Sequence, residues 1–146
     1  MKTEIINKTL TYEIRKTVLW PHIKNNDYTI SVDNDPNTFH LGTFLNNQVI
    51  SIGTFVKENN SKFTEKHQYR LRAMATHKEY RKIGAGKMLF LKGLDILKSK
   101  KITLLWCDAR LIAIPFYESV NMKSVKGIYH IKDIGPHKTM YIALNK

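Results

Sequence analysis

Acidic residues are scarce in this chain, 12 Asp and Glu against 24 Lys and Arg, which leaves a formal net charge of +12 over 146 residues. That excess attracts polyanions without saying which: nucleic acid, an anionic membrane and a phosphate-rich ligand all qualify. The basic residues are spread along the chain with only short runs, such as Arg81-Lys82, so a solvated basic surface accounts for most of them. There is one cysteine, Cys107, which excludes an internal disulfide; its setting in Leu104-Leu105-Trp106-Cys107 points to a packed strand position and not a reactive thiol. No stretch approaches the ~20 consecutive apolar residues of a membrane span. The N-terminus, Met1-Lys2-Thr3-Glu4, lacks the apolar region of a secretory signal. Repeats, low-complexity segments and linkers are likewise missing. The expectation is a soluble, cytoplasmic chain folding as a single domain over residues 1–146, with 42% hydrophobic residues to fill one core.

Periodicity supplies the elements. Thr3 to Ile6 reads as a short strand, and Thr9 to Trp20 as a helix ended by Pro21. Residues Pro21 to Asn37 form a polar connecting loop. Strands over Thr38–Leu45 and Gln48–Lys57 flank Asn46-Asn47, a pair that tolerates the positive φ of a tight hairpin. A strand over His67–Thr76, a helix over Gly84–Lys100 and a buried apolar strand over Ile102–Cys107 imply a parallel, right-handed crossover. A shorter helix over Leu111–Val120 precedes strands over Lys123–Asp133 and Lys138–Leu144, with Gly135-Pro136 as their turn. The fold class is α/β (mixed α+β), with a mostly antiparallel twisted sheet and one parallel βαβ crossover.

The sharpest local feature is Arg81-Lys82-Ile83-Gly84-Ala85-Gly86-Lys87, between a strand and the start of the long helix. Glycines there let consecutive amides turn into one concavity. The helix N-terminus adds unpaired donors, and Arg81, Lys82 and Lys87 add charge, a combination suited to phosphate. The loop lacks both the Gly-Lys-Ser/Thr ending of a P-loop and the third glycine of the dinucleotide fingerprint. It resembles the pyrophosphate loop of the GCN5-related N-acetyltransferases, in which Gln or Arg is followed by two variable residues, Gly, a variable residue, and Gly or Ala. Arg81, Gly84 and Gly86 match that pattern. Leu71 to Tyr80 is similar to the family's fourth strand, and Pro115-Phe116-Tyr117-Glu118 to its later Phe-Tyr-Glu helix. Asp133-Ile134-Gly135-Pro136-His137 resembles the small ElaA-like branch.

The resemblance implies the acyl-CoA N-acyltransferase fold and transfer of an acetyl group from acetyl-CoA to a primary amine, by direct attack through a tetrahedral intermediate. Acetyl-CoA is then the cosubstrate and no metal is needed. Its pyrophosphate is implied to lie on Arg81, Lys82, Ile83, Gly84, Ala85, Gly86 and Lys87, and its pantetheine arm on the backbone of Met74, Ala75 and Thr76. Those three residues would equally satisfy ordinary sheet pairing. Tyr117 takes the family's place for the general acid, a phenol of pKa about 10 that keeps its proton at neutral pH; a packing aromatic beside Phe116 is the alternative. No carboxylate stands on the fourth strand. Alternation places Arg70 and Arg72 on the face of Met74 and Thr76, which leaves a water relay or His137 as base, or His137 as a turn histidine bonding the backbone.

Asp108 replaces a cofactor-contacting asparagine and is expected to hold Arg110 or the loop backbone, while Asn121-Met122 replaces a Gly-Phe. Arg15 and Arg72 are either readers of an acceptor carboxylate or ion-pair residues. Homodimers are frequent in this family, although the residues themselves are silent on oligomeric state. The acceptor amine is unnamed by the sequence. Two other readings stay open: a basic nucleic-acid-binding module, for which no motif is found, and a non-catalytic coenzyme A-binding member of the same fold.

Overall fold

The computed structural model describes residues 1–144. Eight strands form one sheet: β1 (Lys2–Ile6), β2 (Phe39–Leu45), β3 (Gln48–Lys57), β4 (Gln68–Thr76), β5 (Leu104–Arg110), β6 (Lys123–Ser124), β7 (Tyr129–Ile131) and β8 (Gly135–Ala143). Their order is β1-β2-β3-β4-β5-β8-β6, with β7 also on β8. Every pairing is antiparallel except β4 with β5, where α2 (Ala85–Ser99) makes the connection. The expected mixed class and single parallel crossover are therefore observed. Asn46 and Asn47 take φ of 51° and 66°, closing the two-residue hairpin between β2 and β3.

α2 lays Leu89, Phe90, Leu94 and Leu97 on one face of the sheet. Gly93 is required by this approach, since a Cβ there would lie 2.3 Å from Phe55 Cζ. α3 (Ile114–Ser119) joins the same face through Tyr117. The opposite face carries a smaller cluster of Ile6, Ile14, Ile52 and Ala75 beneath the first helical segment.

That first segment departs from the single helix the periodicity predicts. It opens as a 3-10 turn, Lys8–Thr11, capped by the Asn7 side chain on the Thr9 amide at 3.0 Å. One α-turn, Tyr12–Ile14, leads into a π-helical stretch, Arg15–Leu19, closed by the Trp20 amide on the Arg15 carbonyl at 2.8 Å. Pro21, which has no N–H to offer, follows at once. Together these turns are called α1 below. The C-terminal strands are also divided differently from expectation. Gly127, at φ 107°, separates β6 from β7, and the turn falls at Lys132–Ile134 with Asp133 at φ 65°. Gly135 and Pro136 open β8 instead of forming the turn, with Pro136 opposite His130. β5 runs on to Arg110, beyond the expected end at Cys107. Among the described residues no helix is long and apolar enough to cross a membrane.

Arg15, fully buried, ties α1 to the loop that follows it. Its guanidinium bonds both Asp33 oxygens at 2.8 and 2.9 Å, the Tyr28 carbonyl at 2.8 Å and Thr54 Oγ1 at 3.0 Å. Burial works to raise the Asp33 pKa, but the bonds from Arg15 and the Ile30 amide and the charge of Arg15 outweigh it and hold the carboxyl below 3.8. Replacing Asp33 by Ala strands a buried cation, and equilibrium urea denaturation is expected to show a loss of about 3–5 kcal/mol. The pair's contribution is complete above the ordinary value of 3.8 and is lost as the pH falls through the lower folded value. The variant lacks that acid-side dependence.

Candidate active site

The site is set by an extra residue in β4. Ile52 pairs with Ala75 and Thr54 with Arg72, so one residue of β3 faces two of β4, and Ala73 sits at φ 50°. This bulge reverses the alternation. Tyr69 and Leu71 point to the α2 face before it, and Met74 packs on that same face after it, while Ala75 belongs to the α1 side. Arg70 and Arg72 therefore do not share a face with Met74 and Thr76, as unbroken alternation would have it; Ala75 is on their side instead. The general lack of a carboxylate on this strand is unaffected.

Beyond the bulge the sheet opens. The parallel ladder consists of Gln68, Tyr69 and Arg70 opposite Leu104, Leu105 and Trp106 and stops there. β5 pairs along its whole length with β8, from Leu104 to Arg110. The β5-facing edge of residues 71–76 is consequently free of ladder partners. Met74, Ala75 and Thr76 lie on this free edge, while their other edge remains on β3, where Ser51 Oγ also bonds Thr76 Oγ1 at 2.9 Å.

The glycine loop lies directly beside it. Lys82 and Gly84 take φ of 67° and 91°, which turns the chain sharply into α2, and Gly84 caps that helix with no side chain over its first amides. Arg81, Lys82, Ile83, Gly84 and Lys87 are exposed and Ala85 is buried. Arg81 Nε donates to the Thr76 carbonyl at 3.3 Å, joining the loop to the end of β4. Gly86 is a meeting point: a Cβ there would lie 3.4 Å from Met74 Cε, Thr76 Oγ1 and Phe116 Cε1. So the loop, the free strand edge and α3 converge on one place, with charge and unpaired amides suited to a phosphate-bearing ligand.

Tyr117 projects from α3 into the α2-side cluster, 8% exposed, with its ring against Phe90 and Phe116 at 6.5 and 5.2 Å. Burial first, then Cys107 nearby, raises its pKa well above 10.0. Its phenol is a proton donor at any neutral pH. Cys107 is itself buried, which pushes its thiol up and out of reactivity, in keeping with a packed strand position.

His137 is placed on the other face. In β8 it is opposite Arg110 and Tyr129, three residues from Met140, which packs beside Tyr117 in the α2-side cluster. Nδ1 donates to the Gly135 carbonyl at 2.8 Å, and the ring stacks on Tyr129 at 6.1 Å. The structure does not bring Tyr117 and His137 together on one surface. With His137 and Tyr129 on the α1 side stands a polar cluster that the sequence does not reveal. Arg70 bonds Asp108 at 2.7 Å and Glu58 at 3.2 Å, and Asp108 accepts the Tyr129 hydroxyl on its other oxygen. Asp108 thus holds Arg70 and Tyr129, not Arg110 or the loop backbone: Arg70, on the neighbouring strand, reaches one of its oxygens at 2.7 Å and the Tyr129 hydroxyl takes the other. A cavity of about 500 Å³ opens nearby, lined by Trp20, His22, Arg110 and Asp133 among others, between the end of α1 and the β7–β8 turn. Pairings 38 and 21 residues apart leave no local signal in the sequence.

Comparison with known proteins identifies the family and the fold. Residues 5–122 match the model of the acetyltransferase (GNAT) family. The chain is 33% identical over 144 residues to an uncharacterized N-acetyltransferase of Bacillus subtilis, YitI, covering 99% of this chain and 97% of that one. Among solved structures, an aminoglycoside 6'-N-acetyltransferase complexed with coenzyme A superposes with a TM-score of 0.80 at 9% identity, over 100% and 98% of the two chains. Escherichia coli ElaA does so with 0.75 at 14% identity, over 97% and 99%.

The Asp108–Tyr129 contact yields a direct test. Burial first, then the bond to Asp108, pushes the Tyr129 phenol up to about 12. Replacing Asp108 by Asn removes the acceptor charge, and an ultraviolet titration is expected to show Tyr129 ionising closer to 10.0.

Proposed function

The chain belongs to the acetyltransferase (GNAT) family, and from that premise we propose that it moves an acetyl group from acetyl-CoA to a primary amine by direct attack, with Tyr117 as general acid and His137 as base. One observation carries the reading: β4 leaves β5 after Arg70 beside an uncapped helix start. A free strand edge next to a basic glycine loop fits an arm of amides ending in a pyrophosphate. Acetyl-CoA is the cosubstrate, and when bound it supplies the activated acyl group.

The chain's own residues divide the work. Amides of Gly84 to Lys87, with Arg81 and Lys82, hold phosphate; Met74, Ala75 and Thr76 offer backbone donors and acceptors, one of which stabilises charge developing on the acyl oxygen. Tyr117, on the same face as the loop, keeps its proton until a departing thiolate requires it. The amine must shed a proton before it attacks. His137 suits that role because its Nδ1–H is committed to Gly135, leaving the lone pair of the neutral ring at Nε2. Being 3% exposed and on the α1 side, it acts through water. The cytoplasm is the compartment we assign, where acetyl-CoA is made and used.

Calorimetry is expected to show acetyl-CoA binding by the wild type and its loss in a folded Gly84→Glu, Gly86→Glu variant, where two carboxylates meet the phosphates. A folded wild type that ignores acetyl-CoA and binds nucleic acid in a salt-sensitive manner would overturn the proposal. Tyr117→Phe is expected to retain acetyl-CoA affinity while kcat falls about 10²–10⁴-fold, and His137→Asn to lower kcat with acetyl-CoA affinity unchanged. Unchanged turnover in either variant removes that residue from its role.

A further inference from the structure

Arg72 is a cation on the α1 side of β4 to which the described residues supply no ion pair. Every carboxylate bearing on it is already engaged. Asp33 gives both oxygens to Arg15. Glu58 gives both to Arg70, and Asp108 divides its two between Arg70 and Tyr129. Among the described residues Arg72 makes no side-chain hydrogen bond and no ion pair, although it is half-buried. Burial and the like charges of Arg70 and Arg15 depress its pKa, with Glu58 and Asp108 only partly offsetting them.

An unpaired, half-buried guanidinium between two other arginines is unfavourable for folding. Its location explains what it is for. It lies two residues past Arg70, the last residue of the parallel ladder, so about 7 Å along the strand at roughly 3.3 Å per residue. It immediately precedes the bulge at Ala73, and it faces the side opposite Met74 and Thr76.

We propose that Arg72 binds a carboxylate of the acceptor, so that the amine acetylated by this enzyme is one that also carries a carboxylate group. The inference rests on the acetyltransferase reading above and deepens it. The planar guanidinium matches a carboxylate with two parallel N–H···O bonds. A monoanion is favoured over a dianion because Glu58 and Asp108 stand close by. With its carboxylate anchored at Arg72, such a molecule presents its amine toward the gap between β4 and β5 from the α1 side. Arg15, the other arginine that the sequence offers for this task, is excluded by its bonds to Asp33, Tyr28 and Thr54.

The test is an equilibrium titration of the protein saturated with coenzyme A. The probes are 4-aminobutyrate and 6-aminohexanoate, each against its carboxamide, and a short peptide ending in glutamate against its glutamine counterpart. The wild type is expected to bind at least one carboxylate about tenfold or more tighter than its amide, a gap typical of a charge-assisted bond. The pair that shows the gap identifies the source as small molecule or peptide. Arg72→Gln is expected to erase the preference and Arg72→Lys to restore part of it. Because the arginine has no internal partner, Arg72→Gln is also expected to melt no lower than the wild type. Equal binding of carboxylate and amide by the wild type, a preference that survives Arg72→Gln, or a lower melting temperature in that variant would each overturn the proposal. Such results would leave acetyl-CoA binding untouched, whereas failure to bind coenzyme A would sink the acetyltransferase reading by itself.

Discussion

A single unmatched residue in β4 governs the rest of the site. At Ala73 the strand carries two residues where β3 carries one, and the chain comes out of the bulge rotated. Before it, the arginines face α1; after it, Met74 and Thr76 face the glycine loop. The same segment loses β5 as a neighbour, because β5 is paired with β8 along its full length. A strand in the middle of a sheet is thereby given a bare edge. Backbone donors and acceptors seldom go without partners, so such an edge is a standing site for an extended ligand. Gly86 adds the second constraint by letting the loop, β4 and α3 touch, which fixes α3 relative to the glycine loop.

Local chemistry made much of this legible beforehand. The Asn46-Asn47 hairpin, α2 with its glycine-marked start, the buried run in β5 and the Phe116-Tyr117 helix all announce themselves within a few residues. The bulge does not. Arg70, Arg72, Met74 and Thr76 form a clean every-second-residue series, and the residue that breaks it is an alanine, which rarely takes positive φ, where glycine would have been a warning. The first helix is ambiguous in a similar way: near-helical spacing is compatible with 3-10, α and π turns, and only the Asn7 cap and the Trp20–Arg15 bond decide among them. Gly135-Pro136 looked like a turn on composition, yet the positive φ at Asp133 moved the reversal upstream. Side-chain partners were the least legible. Arg15 with Asp33 and Arg70 with Asp108 are separated by 18 and 38 residues, and a sequence shows which charges exist without showing which of them meet.

Charge is distributed with more order than a net value of +12 suggests. On the loop side of the sheet the basic groups are exposed at a helix start, where they act as a diffuse positive field. On the α1 side Asp33 and Asp108 are matched to Arg15 and Arg70 in buried or half-buried pairs, so the positive field there is partly cancelled. Asp108 illustrates the difference. A carboxylate at this point of β5 would repel an anionic cofactor if it faced the loop, but strand alternation turns it away, and Arg70 and Tyr129 absorb its charge.

The Arg15–Asp33 tether bears on how such an enzyme changes. It pins the segment from Pro21 onward at its far end, while α1 pins the near end, so the intervening stretch is anchored independently of what its own exposed side chains do. Residues such as His22, Lys24 and Asn25 can then be exchanged without loosening the wall they stand on. A lineage carrying this tether can exchange the exposed residues of this stretch one at a time, and the stability of the scaffold need not be renegotiated each time.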